Sequence, residues 1–257
     1  MTKSLASKRP FSVVITGEWP GSGQSTTASM LAKALGFKRV YAGLLFRSFA
    51  HAWQVEKKRM SWQEFETKVA NKELDLESYG FAEKDFNEQE LHAFQFQIKR
   101  SVDPGLWDKI IDRHSLMALS APNVVVEAKV GVLLDKTGLL PTKRRKHRVF
   151  RFLLTCPPEI SAHRVIKRKI ENGELRPMDK ESESYNQLVR DTTTETINRH
   201  LRDWERYEQI YGIYRSDIYR AGIIRVFTAD KSQEEVVEAL LAIIEEKLLK
   251  ADRSQRH

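Results

Sequence analysis

The sequence predicts an α/β protein with a five-stranded parallel sheet flanked by helices. Two observations carry that expectation. Most of five short candidate strands are apolar runs without the alternation of a half-exposed strand, and segments of helical period separate them. The first of these runs leads directly into a glycine-rich turn and then a helix.

Strand one is expected at about 11–16, over the apolar run Phe11-Ser12-Val13-Val14-Ile15. A helix from Ser25 to Leu35 places Ala28, Leu31, Ala32 and Leu35 on one face, and Gly36 stops it. Arg39-Val40-Tyr41 reads as a short second strand, followed by a turn at Gly43 and a helix from about Leu44. Ser61-Trp62-Gln63-Glu64 has the capping-box pattern, in which hydroxyl and carboxylate each accept from a free N–H at a helix start. Residues 72–90 are polar and acidic and read as a loop or short turns; helices are expected at about 88–100 and from Asp103 to Leu119. Asn123-Val124-Val125-Val126-Glu127 is an apolar strand ending in a carboxylate, and Val149 to Thr155 is a fourth. Helices at about 158–172 and 185–211 bracket the polar stretch 172–184. A fifth strand at Ile223 to Phe227 precedes a closing helix from Ser232 to Lys250, and 251–257 reads as a disordered tail.

The chemistry sits in Ile15-Thr16-Gly17-Glu18-Trp19-Pro20-Gly21-Ser22-Gly23-Gln24-Ser25-Thr26. In a strand–turn–helix of this kind, successive backbone N–H groups and the positive end of the helix converge on phosphate oxygens. The half from Pro20 to Thr26 looks like the phosphate loop (P-loop) of small nucleotide kinases. Gly21 and Gly23 supply positive φ and let the backbone approach a ligand. Ser25, with Thr26 as the neighbouring candidate, stands where a hydroxyl ligates Mg²⁺. Two positions depart from G-x-x-x-x-G-K-[ST]: Gly17 comes one residue early, leaving Glu18 in the glycine's place, and Gln24 replaces the lysine. A carboxylate facing phosphate would repel it, so Glu18 is expected to point away or the loop to bulge by one residue. Gln24 donates a hydrogen bond without charge, so the missing charge has to come from elsewhere.

Composition bounds the alternatives. At 257 residues and 41 % hydrophobic content the chain can bury one substantial core. No apolar run approaches the roughly 18–20 residues needed to cross a membrane. Met1 to Arg9 carries positive charge without an apolar segment and does not read as a signal peptide. Cys156 is the single cysteine, which leaves no intramolecular disulfide and fits a reducing cytoplasm; at the end of an apolar strand it reads as a buried small hydrophobe. The net charge of +8 is densest at Lys143-Arg144-Arg145-Lys146-His147-Arg148, which has no interleaved aromatics. A solvated loop, a rim attracting polyphosphate and an RNA-binding surface all fit that charge.

Several segments together resemble the archaeal-type cytidylate kinases. Tyr41-Ala42-Gly43-Leu44-Leu45-Phe46-Arg47 is similar to their S-A-G-[DE]-x-F-R, and Met60-Ser61-Trp62-Gln63-Glu64-Phe65 to their M-S-L-E-E-F. Asp108-x-x-x-Asp112-Arg113 resembles D-x-x-I-D-R, and Asn123 to Lys129 resembles N-V-V-L-E-G-R. Pro157-x-Glu159, Arg164 and Arg168 continue the pattern. Arg206-Tyr207-x-x-Ile210-Tyr211-Gly212-Ile213 is like R-Y-x-x-I-Y-G-I, and Asp230-Lys231-Ser232 with Glu234-Glu235-Val236 is like the closing T-D-x-x-S-x-E-E-V. The order is kept over almost the whole chain, with extra material at about 72–102, 132–148 and 169–195.

The resemblance implies the fold of P-loop nucleoside monophosphate kinases and transfer of the ATP γ-phosphoryl group to a nucleoside monophosphate, classically CMP or dCMP. Residues 1–257 would be one domain: a core of 10–43, 121–168 and 207–250, an acceptor-binding insert of 44–120 and a lid of 169–206. ATP would be held by Gly17, Pro20, Gly21, Ser22, Gly23, Gln24, Ser25 and Thr26, with Arg164 and Arg168, spaced i, i+4, on one helical face. Gly43, Arg47, Asp112, Arg113 and Lys129 fall on the acceptor side. Arg47 would fork onto the acceptor phosphate, the alternative being a surface arginine. Asp112 and Arg113 face either the base or solvent. Lys129 keeps the charge of a family arginine but loses its fork, and Leu44 replaces an acid. Mg²⁺ would be held by Ser25 and Glu127, unless Glu127 only caps its strand. Gln24, Arg164, Arg199 and Arg206 are the catalytic set, with Arg199 and Arg206 as lid arginines able to replace the charge lost at Gln24; Arg202 and Arg190 lie nearby. A monomer without membrane association is favoured. Other acceptors, including a small metabolite, and a non-catalytic nucleotide- or RNA-binding role are the alternatives.

Overall fold

The computed structural model describes residues 10–71, 73–79, 87–101, 103, 105–136, 147–220 and 222–253. Five strands, β1 (Phe11–Gly17), β2 (Lys38–Tyr41), β3 (Val124–Glu127), β4 (Arg148–Thr155) and β5 (Ile224–Phe227), form one sheet in the order β2-β3-β1-β4-β5. Every pairing is parallel. β1 is therefore central and buried along its whole length, as its unbroken apolar sequence requires.

Eight α-helices accompany the sheet among the described residues: α1 (Gln24–Leu35), α2 (Ala42–Glu56), α3 (Trp62–Ala70), α4 (Glu88–Lys99), α5 (Gly105–Ala118), α6 (Pro158–Glu171), α7 (Glu183–Tyr211) and α8 (Gln233–Arg253). One face of the sheet packs Val13, Ile15, Phe150 and Phe152 against Leu31 of α1 and Leu240 of α8. The other packs Val14, Val126 and Leu153 against Leu116, Trp204 and Tyr207. A third core lies apart from the sheet, where Phe49, Trp53, Phe65, Phe94 and Trp107 join α2 to α5.

Local signals explain most boundaries. Gly36 closes α1 in the left-handed conformation (φ 68°), its N–H reaching back to the last turn. The Ser61 hydroxyl accepts from Glu64 N and starts α3 where the capping box places it. Two expectations need correction. Gly43 is not a turn: α2 begins at Ala42, directly after β2, and Gly43 has no positive φ. The closing helix runs to Arg253, past the expected start of a disordered tail at 251. α7 runs unbroken from Glu183 through position 206 to Tyr211. Residues 143–146 of the basic cluster, and parts of the segments at 72–102 and 132–148, lie outside the described residues.

Candidate active site

β1 ends at Gly17 in the centre of the sheet, and the turn that follows rises at the carboxyl edge of the parallel strands, the edge where ligands bind in open α/β sheets. Gly21 (φ 87°) and Gly23 (φ 91°) carry the chain into α1. A side chain at Gly21 would also meet the Ser161 carbonyl at 2.8 Å, because the turn packs against α6, whose Ser161 hydroxyl donates to Pro20 O. Gly17 has no room either: a Cβ there would lie 2.3 Å from Ser22 Oγ. Ser22 Oγ is buried and has no hydrogen-bond partner in the protein.

The extra residue of the turn goes into a clasp on α7. Glu18 points sideways and accepts from the Tyr219 hydroxyl at 2.6 Å, which takes its charge off the axis of the loop. Trp19 lies on the buried His200 ring of α7 (centroids 4.3 Å apart), with the Arg215 guanidinium 5.7 Å from its own centroid. Trp204 Nε1 donates to His200 Nε2 at 3.1 Å. Burial, reinforced by the charges of Lys129 and Arg215, pushes His200 down to about 4, so this ring is neutral at physiological pH. Lys129 joins the clasp through Glu18 O (3.4 Å) and Asp203 (3.6 Å); burial lowers its pKa while Asp203 opposes the fall.

At the mouth of the turn, Ser25 Oγ donates to Glu127 Oε1. The parallel register that sets Ile15 beside Glu127 brings these two residues together from 102 positions apart. The second Glu127 oxygen accepts from Arg39 at 2.7 Å. Gln24 folds beneath the loop, its amide donating to Ile15 O at 3.1 Å; Thr26 sits half-buried in the first turn of α1. Arg164 is fixed beside the loop by Thr228 O (2.5 Å) and Thr228 Oγ1 (3.1 Å), and that hydroxyl also reaches Ser22 O. Arg168, one turn further along α6, is exposed.

The remaining expected residues fall on the side of the third core. Arg47 is half-buried on α2. Asp112 and Arg113 part company: Arg113 is exposed, while Asp112 is buried and accepts from the Tyr211 hydroxyl of α7 at 2.8 Å. Arg206 bonds Asp108 of α5 at 3.1 Å and Asp203 at 3.3 Å, whereas Arg199 is exposed on α7. Arg39, Trp19, His200 and Asp203 were not singled out by the sequence. Only the basic residue in the short second strand could have served as a signal, and its partner is distant in the chain.

Burial raises Asp112 to about 7; the Tyr211 bond and Arg206 oppose this, and Asp108 adds to it. Between about pH 4 and 7 the folded chain therefore holds a proton there that the unfolded chain has lost, and stability falls as pH rises through that window. Asp112→Asn is neutral throughout and can still accept from Tyr211. Its stability relative to the wild type is expected to improve between pH 5 and pH 8 in urea melts. A gap that does not change with pH would refute the assignment. His200 has the opposite sign over about 4 to 6.5 but is common to both proteins and cancels.

The relatives of this chain bear on what such a site does. The cytidylate kinase of Methanopyrus kandleri is 27% identical over 248 residues, covering 94% of this chain and 98% of the relative. The chain resembles the archaeal cytidylate kinases. That of Pyrococcus abyssi is 26% identical, covering 91% and 93%, and that of Ignicoccus hospitalis 28% identical, covering 89% and 95%. No family model matches the chain. Among solved structures, shikimate kinase from Acinetobacter baumannii, in complex with shikimate, aligns over 95% of this chain and 98% of its own at a TM-score of 0.41 and 14% identity. TT1252 from Thermus thermophilus aligns over 93% and 98% at 0.41 and 20% identity. Likenesses this loose add nothing to the topology described above. Like the cytidylate kinases it resembles, the chain is a phosphotransferase. Among the described residues no helix is long and apolar enough to cross a membrane.

Proposed function

We propose that this chain is an ATP- and Mg²⁺-dependent nucleoside monophosphate kinase whose favoured acceptor is CMP. The observation that carries the reading is the Ser25–Glu127 pair at the mouth of the glycine turn. A hydroxyl and one carboxylate are hard oxygen donors, and such a pair suits Mg²⁺, which takes its other ligands from phosphate and water. Among the described residues there is no cluster of three or more acidic, His or Cys side chains for an all-protein metal cage. Held by Ser25 and Glu127, Mg²⁺ would supply neutralisation of the charge that develops in phosphoryl transfer.

The chain's own parts divide the work. The turn from Gly17 to Thr26 binds the donor phosphates through backbone N–H groups, with Arg164 fixed at its side. Residues 44–120, with a core of their own, form the acceptor-binding insert; Arg47 and Lys129 hold the acceptor phosphate, and Asp112 with Arg113 belongs to its base side. Residues 169–206 form the lid, which excludes water. Arg199 is exposed on it and available to the transferring group.

The test is ADP release, measured with a panel of CMP, dCMP, UMP and AMP at controlled Mg²⁺. CMP or dCMP is expected to stimulate ADP formation most. Stimulation by another acceptor alone would move the specificity and keep the chemistry. No stimulation by any of them, with ATP binding still measurable by calorimetry, would sink the kinase reading in favour of nucleotide binding without turnover.

A further inference from the structure

We propose that Arg39 is the donor-phosphate cation of this loop, supplying the charge that Gln24 lacks; the proposal rests on the kinase reading above. Arg164, Lys129 and Arg206, three basic side chains near the turn, each make contacts within the protein. Arg164 spends two donors on Thr228. Lys129 is held between Glu18 O and Asp203. Arg206 faces Asp108 and Asp203. Gln24 itself is turned under the loop onto Ile15 O.

Arg39 is placed differently. It sits on β2, one strand beyond β3, and reaches across to the Glu127 carboxylate whose other oxygen holds Ser25. Its guanidinium lies over the Tyr41 ring, 4.4 Å from the centroid, which fixes the plane of the fork at the end of the strand. Its side chain is 25% exposed, and it bonds Glu127 through Nη2. Guanidinium forks match phosphate oxygens. One donor therefore holds the metal-side carboxylate while the rest of the fork serves the polyphosphate beside it.

A double-mutant cycle tests this with ATP binding, read by calorimetry on the full chain without any acceptor. Arg39→Gln is expected to weaken ATP binding by about tenfold or more, as loss of a charge-assisted contact does. Introducing Gln24→Lys in the same chain is expected to restore the affinity to within about threefold of the wild type, because the second cation replaces the first. A loss that Gln24→Lys does not repair would make Arg39 a purely structural partner of Glu127 and overturn the proposal; so would an Arg39→Gln chain that binds ATP as the wild type does. Where the glutamine variant does not fold, Arg39→Lys decides: it keeps the charge, and a loss greater than about fivefold in that variant overturns the assignment, while a smaller loss supports it. If the wild type binds ATP yet no acceptor stimulates turnover, the kinase reading fails and the cycle still reports on Arg39.

Discussion

Replacing Glu127 by Gln is expected to lower kcat by about a hundredfold or more, the scale seen when a preorganised electrostatic contact to a transition state is removed. The carboxylate stands at the end of β3, held by Ser25 on one oxygen and by Arg39 on the other. Glutamine keeps the shape and one acceptor but gives up the charge that a metal needs, so the Mg²⁺ concentration for half-maximal rate should rise as kcat falls. It also leaves Arg39 without a counter-ion, which should cost about 1–3 kcal/mol of stability. Steady-state kinetics across a Mg²⁺ titration, with a urea melt in parallel, separates the two effects. A kcat within threefold of the wild type would reduce Glu127 to a strand-ending cap.

Trp107→Ala is the largest expected stability effect. Trp107 is 2% exposed, and its ring meets Phe94 edge-on at 4.8 Å, Phe49 at 5.4 Å and Trp62 at 5.6 Å. Its Nε1 donates to Glu66 at 3.0 Å. Truncation removes the centre of the third core and leaves a cavity that α2 to α5 cannot easily close, which places the cost at about 3–5 kcal/mol. Glu66 keeps its bond from the Ser101 hydroxyl, so the loss is one of packing more than of an orphaned carboxylate. Because this core shares no residues with those on the two sheet faces, amide exchange should quicken in α2, α3 and α5 more than in β1 and β4. A destabilisation below about 1 kcal/mol, or uniform loss of protection, would contradict this account.

What the sequence made legible is local or periodic. The buried strands could be read because parallel sheets covered on both faces favour apolar runs, as in Val13-Val14-Ile15 of β1 and Val124-Val125-Val126 of β3. The turn could be read because its glycines, Ser25 and the strand before it form one contiguous signature. Glu127 was found because a carboxylate ending an apolar strand is conspicuous in sequence. Arg39 was not found, because its role depends on a partner 88 residues away and on a strand order that no local pattern encodes. The Trp19–His200 contact was hidden for the same reason, and it reads the extra residue of the loop as a docking point. Gly43 misled because glycine suggests a turn wherever it occurs, yet here it is accommodated in the first turn of a helix. Asp112 and Arg113 look like one charged pair in sequence, but adjacent residues on a helix point about 100° apart, and one entered the core.

Helix α7 spans 29 residues without a break, roughly 44 Å at 1.5 Å per residue. Along it, His200 carries Trp19 of the phosphate turn, while Arg206 and Tyr211, a few turns on, carry Asp108 and Asp112 of α5. A rod gripped at both places behaves as a lever: a tilt that loosens one grip is felt at the other. Were a ligand at the glycine turn to shift α7, it would change the pairing at α5, and by thermodynamic linkage a ligand on the α5 side would change affinity at the turn by the same factor. One helix thus touches both the glycine turn and α5, and Trp19, in that turn, is an intrinsic fluorophore placed to report a movement of α7.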